Sequence, residues 1–299
     1  MNTNLIPFIS IVIPTFNRAE YISKALNSVI DQTFKDWELI IVDNNSTDHT
    51  DKIINQYTDP RIRYLKIKND GVIAKSRNLG IEVSKGEWIA FLDSDDWWTK
   101  DKLEVCFNNI HNNVDFIYHK VEVIDANQKF YYLKNKFKGR KLNRPILNDL
   151  LVGAIKHGNA IGSSSVIVRK SLLDKIGGIS ENKNLVASED YNTWLRIAQI
   201  TDQFKYLEKR LGYYLIHDGS TQKRNLSIPH KEAVNDFIKL FNNQQTLNLE
   251  VKWKYMSGCY NAYSNNYTKA KEEFIFVLKN GSVDLKLRSL LKITLMIFK

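Results

Sequence analysis

The feature that most constrains this chain is the alternation, through its first hundred residues, of short β-branched runs with stretches of helical periodicity. SIVIPTF (Ser10 to Phe16), ELIIVD (Glu38 to Asp43), RIRYLKI (Arg61 to Ile67) and EWIAFLD (Glu87 to Asp93) read as strands, and the segments between them as helices. Two runs are continuously apolar at IVI and LIIV, as expected of strands covered on both faces. A βαβα series of this kind predicts an α/β fold built on a doubly wound, mostly parallel sheet. Ligands of such sheets sit outside the carboxyl ends of the strands. Three of the four predicted strands run into polar clusters there, namely Asn17-Arg18, Asp43-Asn44-Asn45-Ser46 and Asp93-Ser94-Asp95-Asp96, so one shared cleft is expected.

From about residue 114 to 222 the pattern is less regular. Strands are expected at Phe116 to Ile124, Ser164 to Val168 and Leu211 to His217, with helices near Ile146 to Val152 and Glu189 to Ile200. From Pro229 the periodicity is helical, with candidates at 229–243, 250–264, 267–279 and 283–298. The expected organisation is one domain over 1–222, with halves at 1–113 and 114–222, followed by a basic helical region at 223–299. Tyr267, Ala270, Phe274, Val277 and Leu278 have the spacing of half a tetratricopeptide unit, but a single unit argues only for packed helical hairpins.

Composition removes several classes. With 299 residues, 43% hydrophobic and 25% charged, the chain can bury a core and reads as a soluble globular protein. Cys106 and Cys259 are far apart, with no second Cys or His at metal-ligand spacing, so neither a disulfide framework nor a structural zinc is indicated. The first residues lack a basic segment, and Pro7, Ser10 and Pro14 break the apolar stretch, which argues against a signal peptide. No run approaches the roughly 20 apolar residues of a spanning helix. The expected location is the cytoplasm. The net charge of +10 is uneven, because from Lys223 to Lys299 thirteen Lys and Arg stand against six Asp and Glu. That region is the expected contact with an acidic surface.

The cluster Asp93-Ser94-Asp95-Asp96 places three carboxylates within four residues of a buried strand, a costly arrangement unless something positive sits beside it. One reading is a hard divalent cation, Mg²⁺ or Mn²⁺, held by oxygen ligands and bridging substrate phosphates. The other is a solvated loop whose Asp caps the helix starting near Lys100. Composition alone leaves both open.

Five segments in order decide more: SIVIPTFNR, ELIIVDNNSTDHT, AKSRNLGIEVSKGEWIAFLDSDD, SEDYNTWLRI and YYLIHDGST. Together, over about residues 8 to 222, they resemble glycosyltransferase family 2, the inverting enzymes of GT-A fold. The resemblance implies that Pro14, Thr15, Asn17 and Arg18 line a nucleotide pocket, with Asp43 accepting the imide N–H that uracil and thymine present and cytosine lacks. The expected donor is therefore a UDP or dTDP sugar. Arg77 would reach the diphosphate or ribose, or else lie on a solvated helix face. Asp93, with Ser94 beside it, would meet the ribose or a metal-bound water. Asp95 resembles the direct ligand of a Mn²⁺ or Mg²⁺ ion, and His217 the histidine that reaches metal or diphosphate. Asp96 is left without a role. Glu189-Asp190 stands where the family carries its catalytic pair, which makes Asp190 the expected base, with Glu189 and Trp194 on the acceptor side. The loop from Asn159 to Ser165 resembles the small polar loop beneath the sugar.

The family's processive polysaccharide synthases carry an Arg-Trp dipeptide and a membrane pore, and neither pattern occurs here. Transfer of a single hexose or N-acetylhexosamine is expected, onto a glycan acceptor such as a lipid-linked O-antigen or capsule precursor, with no nucleic acid partner. Alternatives are a sugar nucleotidyltransferase, disfavoured because PTFNRAEY lacks a Gly-rich phosphate loop, and a non-catalytic nucleotide-sugar-binding protein. In the tail, Leu287, Leu290, Leu291 and Phe298 fall near one helix face with Lys286, Arg288, Lys292 and Lys299 around it. Either that face lies on an anionic membrane, holding the protein peripherally on its cytoplasmic side, or it packs on the preceding helices.

Overall fold

Seven consecutive buried residues in each of two neighbouring strands form the centre of the sheet: β1 (Ile9–Thr15) and β2 (Trp37–Asp43) pair in parallel along their whole length. The computed structural model describes residues 6–125, 153, 155, 158–220 and 224–297. Strand β3 (Ile62–Lys66) extends β2, and β4 (Trp88–Phe91) lies on the other side of β1, both parallel. The four strands expected from periodicity are therefore present, with every end within two residues of its expected position.

Beyond β4 the sheet becomes mixed. Its full order is β3-β2-β1-β4-β7-β6-β8-β5, where β5 is Trp97–Trp98, β6 Phe116–Asp125, β7 Ile167–Arg169 and β8 Phe204–Ile216. Strand β7 is antiparallel to β4 and β6, β6 and β8 are parallel, and β5 is antiparallel to β8. The expected strand from Ser164 is a 3-10 turn at Ser163–Ser165 followed by β7. The expected helix near 146–152 lies outside the described residues.

Helices cover the sheet by burying one stripe each. In α1 (Ile22–Ile30) the buried residues Ile22, Ala25, Leu26 and Val29 recur at intervals of three and four. Helix α2 is Thr50–Ile54, and α3 (Ile73–Val83) packs closely on β1 through Gly80, where an added Cβ would fall 2.4 Å from Val12 Cγ1. Helix α4 (Lys102–Phe107) follows β5, and α5 (Lys170–Lys175) follows β7. One apolar cluster contains Ile11, Leu26, Leu39, Trp88 and Leu103, and a second contains Val12, Phe91, Phe116, Val168 and Trp194.

The chain divides into two compact units, residues 1–183 with 193–218, and residues 184–192 with 219–299. Helix α6 (Glu189–Ala198) begins in the second and ends in the first. The second unit also holds α7 (Ser227–Val234), α8 (Asn243–Tyr263), α9 (Tyr267–Asn280) and α10 (Val283–Ile297). Asn242 and Gln245 form a capping box at the start of α8. Gly258 of α8 receives the Phe274 ring of α9, and Ala270, Phe274 and Val277 are fully buried. Among the described residues no helix is long and apolar enough to cross a membrane.

Candidate active site

The strand order reverses at β1: the chain runs outward from β1 through β2 to β3, then returns to lay β4 on β1's other side. Ligands of open α/β sheets bind at the carboxyl ends of strands flanking such a switch. The residues there are Asn17 and Arg18 after β1, and Asp93 to Asp96 after β4. Pro14, Thr15 and Ser94 are buried beside them.

The loop after β1 is laced to the loop after β2. Asn17 adopts φ 49°, a left-handed conformation that Asn tolerates better than most residues. Its N–H donates to Ser46 Oγ at 2.9 Å, and its Oδ1 accepts from the Thr47 N–H at 2.8 Å. The Arg18 N–H donates to Thr50 Oγ1 at 2.8 Å, which fixes the backbone from which the Arg18 side chain departs. That side chain places Nε 3.5 Å from Asp95 Oδ2.

Asp43 ends β2 fully buried. Its Oδ1 accepts from the Ser46 N–H at 3.0 Å and hydroxyl at 2.5 Å, and its Oδ2 accepts from the Tyr64 hydroxyl at 2.6 Å. Burial first, and then the bond to Asp43, push the Tyr64 phenol well above its ordinary range. Oδ1 thus has both lone pairs engaged and Oδ2 retains one, and in this structure Asp43 organises the loop that follows it.

Arg77, on α3, is 3% exposed and places Nη2 2.7 Å from Asp93 Oδ1. The solvated helix face was one of two expectations for it, and the structure instead gives it a carboxylate. The other carboxylates diverge. Asp95 Oδ2 lies 2.9 Å from His217 Nε2, just beyond the end of β8, and the imidazole lies against the Tyr21 ring with centroids 4.6 Å apart. Asp96 turns inward, 1% exposed, accepting from Ser164 Oγ at 2.6 Å and from the Leu215 N–H at 3.0 Å. Burial, followed by the charges of Asp95 and Asp93, raises its carboxyl well above the usual range. The capping alternative for the cluster is not realised: the residue before α4 is Asp101, with no side-chain cap bond.

Ser164 was not singled out by sequence, yet it joins three elements. Its hydroxyl accepts from the Asp93 N–H at 3.1 Å while donating to Asp96, and its carbonyl accepts from Trp98 Nε1 at 2.6 Å. Tyr64 and Tyr21 were missed too. The signal for Tyr64 was available, since β2 and β3 are adjacent and Tyr64 pairs with Ile41, two residues before Asp43.

In the second unit Glu189 and Asp190 open α6. Glu189 is buried and its Oε2 accepts from the Ala187 N–H at 2.8 Å, with Ala187 at φ 74°. Asp190 is half-buried, and its Oδ1 accepts from the Tyr191 N–H at 2.7 Å. Ser188 Oγ lies 2.9 Å from His230 Nδ1, and Asn192 Nδ2 donates to the Ala233 carbonyl, so this segment is fastened to α7. Trp194, in the first unit, is 4% exposed with its ring among Phe91 and Phe116 and its Nε1 on the Ile161 carbonyl. An acceptor-facing surface was expected of Trp194; it is a core residue that fixes the roll of α6.

Among the described residues no group of three or more His, Cys, Asp or Glu side chains is arranged to hold a metal ion. Asp95 and His217 make a two-donor set. That suits a cation bound by one or two side chains and completed by phosphate oxygens and water.

Sheet order gives an α/β fold of the GT-A type, with acidic and basic side chains gathered at its switch point. The family model for Glycosyl transferase family 2 matches residues 10–177. The chain is 32% identical over 190 residues to the UDP-Glc:alpha-D-GlcNAc-diphosphoundecaprenol beta-1,3-glucosyltransferase WfgD of Escherichia coli, covering 63% of this chain and 69% of WfgD. Among solved structures, S. aureus TarS 1-349 in complex with UDP-GlcNAc aligns with TM-score 0.65 at 18% identity, over 90% of this chain and 80% of that one. The mannosyltransferase PcManGT of Pyrobaculum calidifontis, in complex with GDP-Man and Mn²⁺, aligns with TM-score 0.61 at 15% identity, over 98% and 81%. The chain belongs to glycosyl transferase family 2. The nucleotidyltransferase alternative is thereby set aside.

Proposed function

We propose that this protein is an inverting, metal-dependent glycosyltransferase that moves one hexose or N-acetylhexosamine from a UDP sugar, with dTDP as the other candidate nucleotide, to a hydroxyl of a lipid-linked glycan. The observation that carries this reading is the arrangement at the switch point, with Asp95 between His217 and Arg18, and Asp93 on Arg77. WfgD, by its name, uses UDP-glucose and a diphosphoundecaprenol-linked acceptor, which supports the donor and acceptor classes.

Asp95 and His217 are the residues that would hold a divalent cation, and such an ion supplies Lewis-acid neutralisation of the leaving diphosphate. Arg18 adds a guanidinium beside Asp95 for the same developing charge. Arg77 holds one oxygen of Asp93, which orients the other toward a ribose hydroxyl. Asp43 acts on the base side through the loop it organises and through the remaining lone pair of Oδ2. Asp190 takes the proton of the acceptor hydroxyl as that oxygen bonds to the anomeric carbon opposite the departing diphosphate.

Slow donor hydrolysis needs no acceptor, so the test is a screen of UDP and dTDP sugars with Mn²⁺, followed by transfer assays on the preferred donor. Asp190→Asn is expected to keep donor affinity and lose transfer by about 100-fold or more. Asp95→Ala is expected to weaken donor binding in Mn²⁺ and not in chelator. Wild-type transfer by Asp190→Asn removes the base assignment, and hydrolysis of no donor by the wild type removes the reading.

A further inference from the structure

Helix α10 leaves an apolar stripe in solvent. Val283, Leu287, Leu290, Leu291 and Leu295 are 48% to 75% exposed, and at 100° per residue they fall within one sector of the helix, a band about 18 Å long. Leu285, Ser289 and Met296 fall on the opposite face, where Ser289 is fully buried and α10 packs on α9. Leu287, Leu290 and Leu291 thus do not pack on the preceding helices, which was one of the two expectations for them; Phe298 and Lys299 lie outside the described residues. Cations flank the stripe, with Lys286 on one side and Arg288 and Lys292 on the other. Asp284 and Thr294 fall inside the same sector, where Arg288 neutralises Asp284 by pairing with it at 2.9 Å.

We infer that this stripe is a docking face for an anionic lipid bilayer, with α10 lying in the plane of the headgroups. The leucines enter the acyl boundary, and the flanking Lys and Arg extend along it to reach lipid phosphates. The surplus of basic over acidic residues after Lys223 favours the same partner. A second copy of the chain fits less well. Five side chains on one helix fall short of the roughly 800 Å² per partner of a stable dimer, and apposed stripes would bring like charges together. The inference deepens the lipid-linked acceptor reading, since it puts the enzyme on the surface where such an acceptor resides. Vesicle binding, however, is measured with neither donor nor acceptor, so the two can fail separately.

The experiment is co-sedimentation of the full chain with phosphatidylcholine vesicles, with and without phosphatidylglycerol. The protein is expected to bind the anionic vesicles more strongly, and less so as salt rises. Leu287→Ser/Leu291→Ser is expected to lower partitioning by about tenfold or more, with donor hydrolysis unchanged and Tm little changed because the side chains are 63% and 60% exposed. Lys286→Gln/Arg288→Gln is expected to reduce the preference for phosphatidylglycerol. No binding to anionic vesicles, or equal binding by the leucine variant, overturns the inference. A dimer in sedimentation velocity that the leucine substitutions dissolve overturns it as well, by assigning the face to a second copy.

Discussion

The carboxylates of Asp93, Asp95 and Asp96 lie within four residues, yet each is compensated differently: by a buried guanidinium, by an imidazole with a second arginine, and by a hydroxyl with a backbone N–H. Ser164 is the joint between the first and the last. Ser164→Ala leaves a buried oxygen of Asp96 without its donor and the Asp93 N–H without its acceptor. The expected cost is about 1–3 kcal/mol in urea unfolding, with weaker donor binding. Unchanged stability and affinity would show that Ser164 merely fills space. The acidic run itself was legible in sequence, because so much charge beside an apolar strand demands an explanation. The role of Ser164 was not, because it stands in a run of three serines and its bond to Asp96 spans 68 residues.

At the scale of elements, the first four strands were legible because strands covered on both faces have uninterrupted apolar centres. The start of β8 was not. In FKYLEKR the alternation of apolar and polar residues fails after Tyr206, where Leu207 is followed by three charged residues, and the run belongs to a strand because β6 accepts it, with a register shift at His119 to Val121. Strand β5, two residues long, has no periodicity to read. Element packing also sets the position of Arg77, three residues before the glycine at which α3 meets β1. Gly80→Ala drives a methyl group against buried Val12 and is expected to destabilise by about 1–3 kcal/mol, less the small gain in helix propensity. As α3 is displaced, the donor KM should rise. Adding Val12→Ala should recover KM more fully than stability, and a KM unmoved by Gly80→Ala would separate helix placement from Arg77 function.

For the molecule as a whole, pH dependence of stability follows from a lysine in the interior. Lys102 is fully buried, with Nζ 3.6 Å from the centroid of the Trp98 ring and no hydrogen-bond partner among the described residues, and burial brings it down to about 7. Between about pH 7 and its ordinary value of 10.5 the unfolded chain carries a proton that the folded protein lacks. Stability from this group therefore rises with pH across that window, and below it the full penalty applies. Lys102→Met should be more stable than the wild type, most of all below about pH 7, with the gap closing toward pH 10. A pH-independent gap in urea unfolding would show that the lysine stays charged in the fold. Sequence distance carries a last consequence. Asp95 meets its histidine 122 positions downstream, and Asp96 its backbone donor 119 downstream. A ribosome therefore exposes the acidic loop well before it makes β8, and a nascent chain halted ahead of Leu215 holds Asp95 without its imidazole and Asp96 without its backbone donor. Synthesis of the last strand is the step that finishes the site.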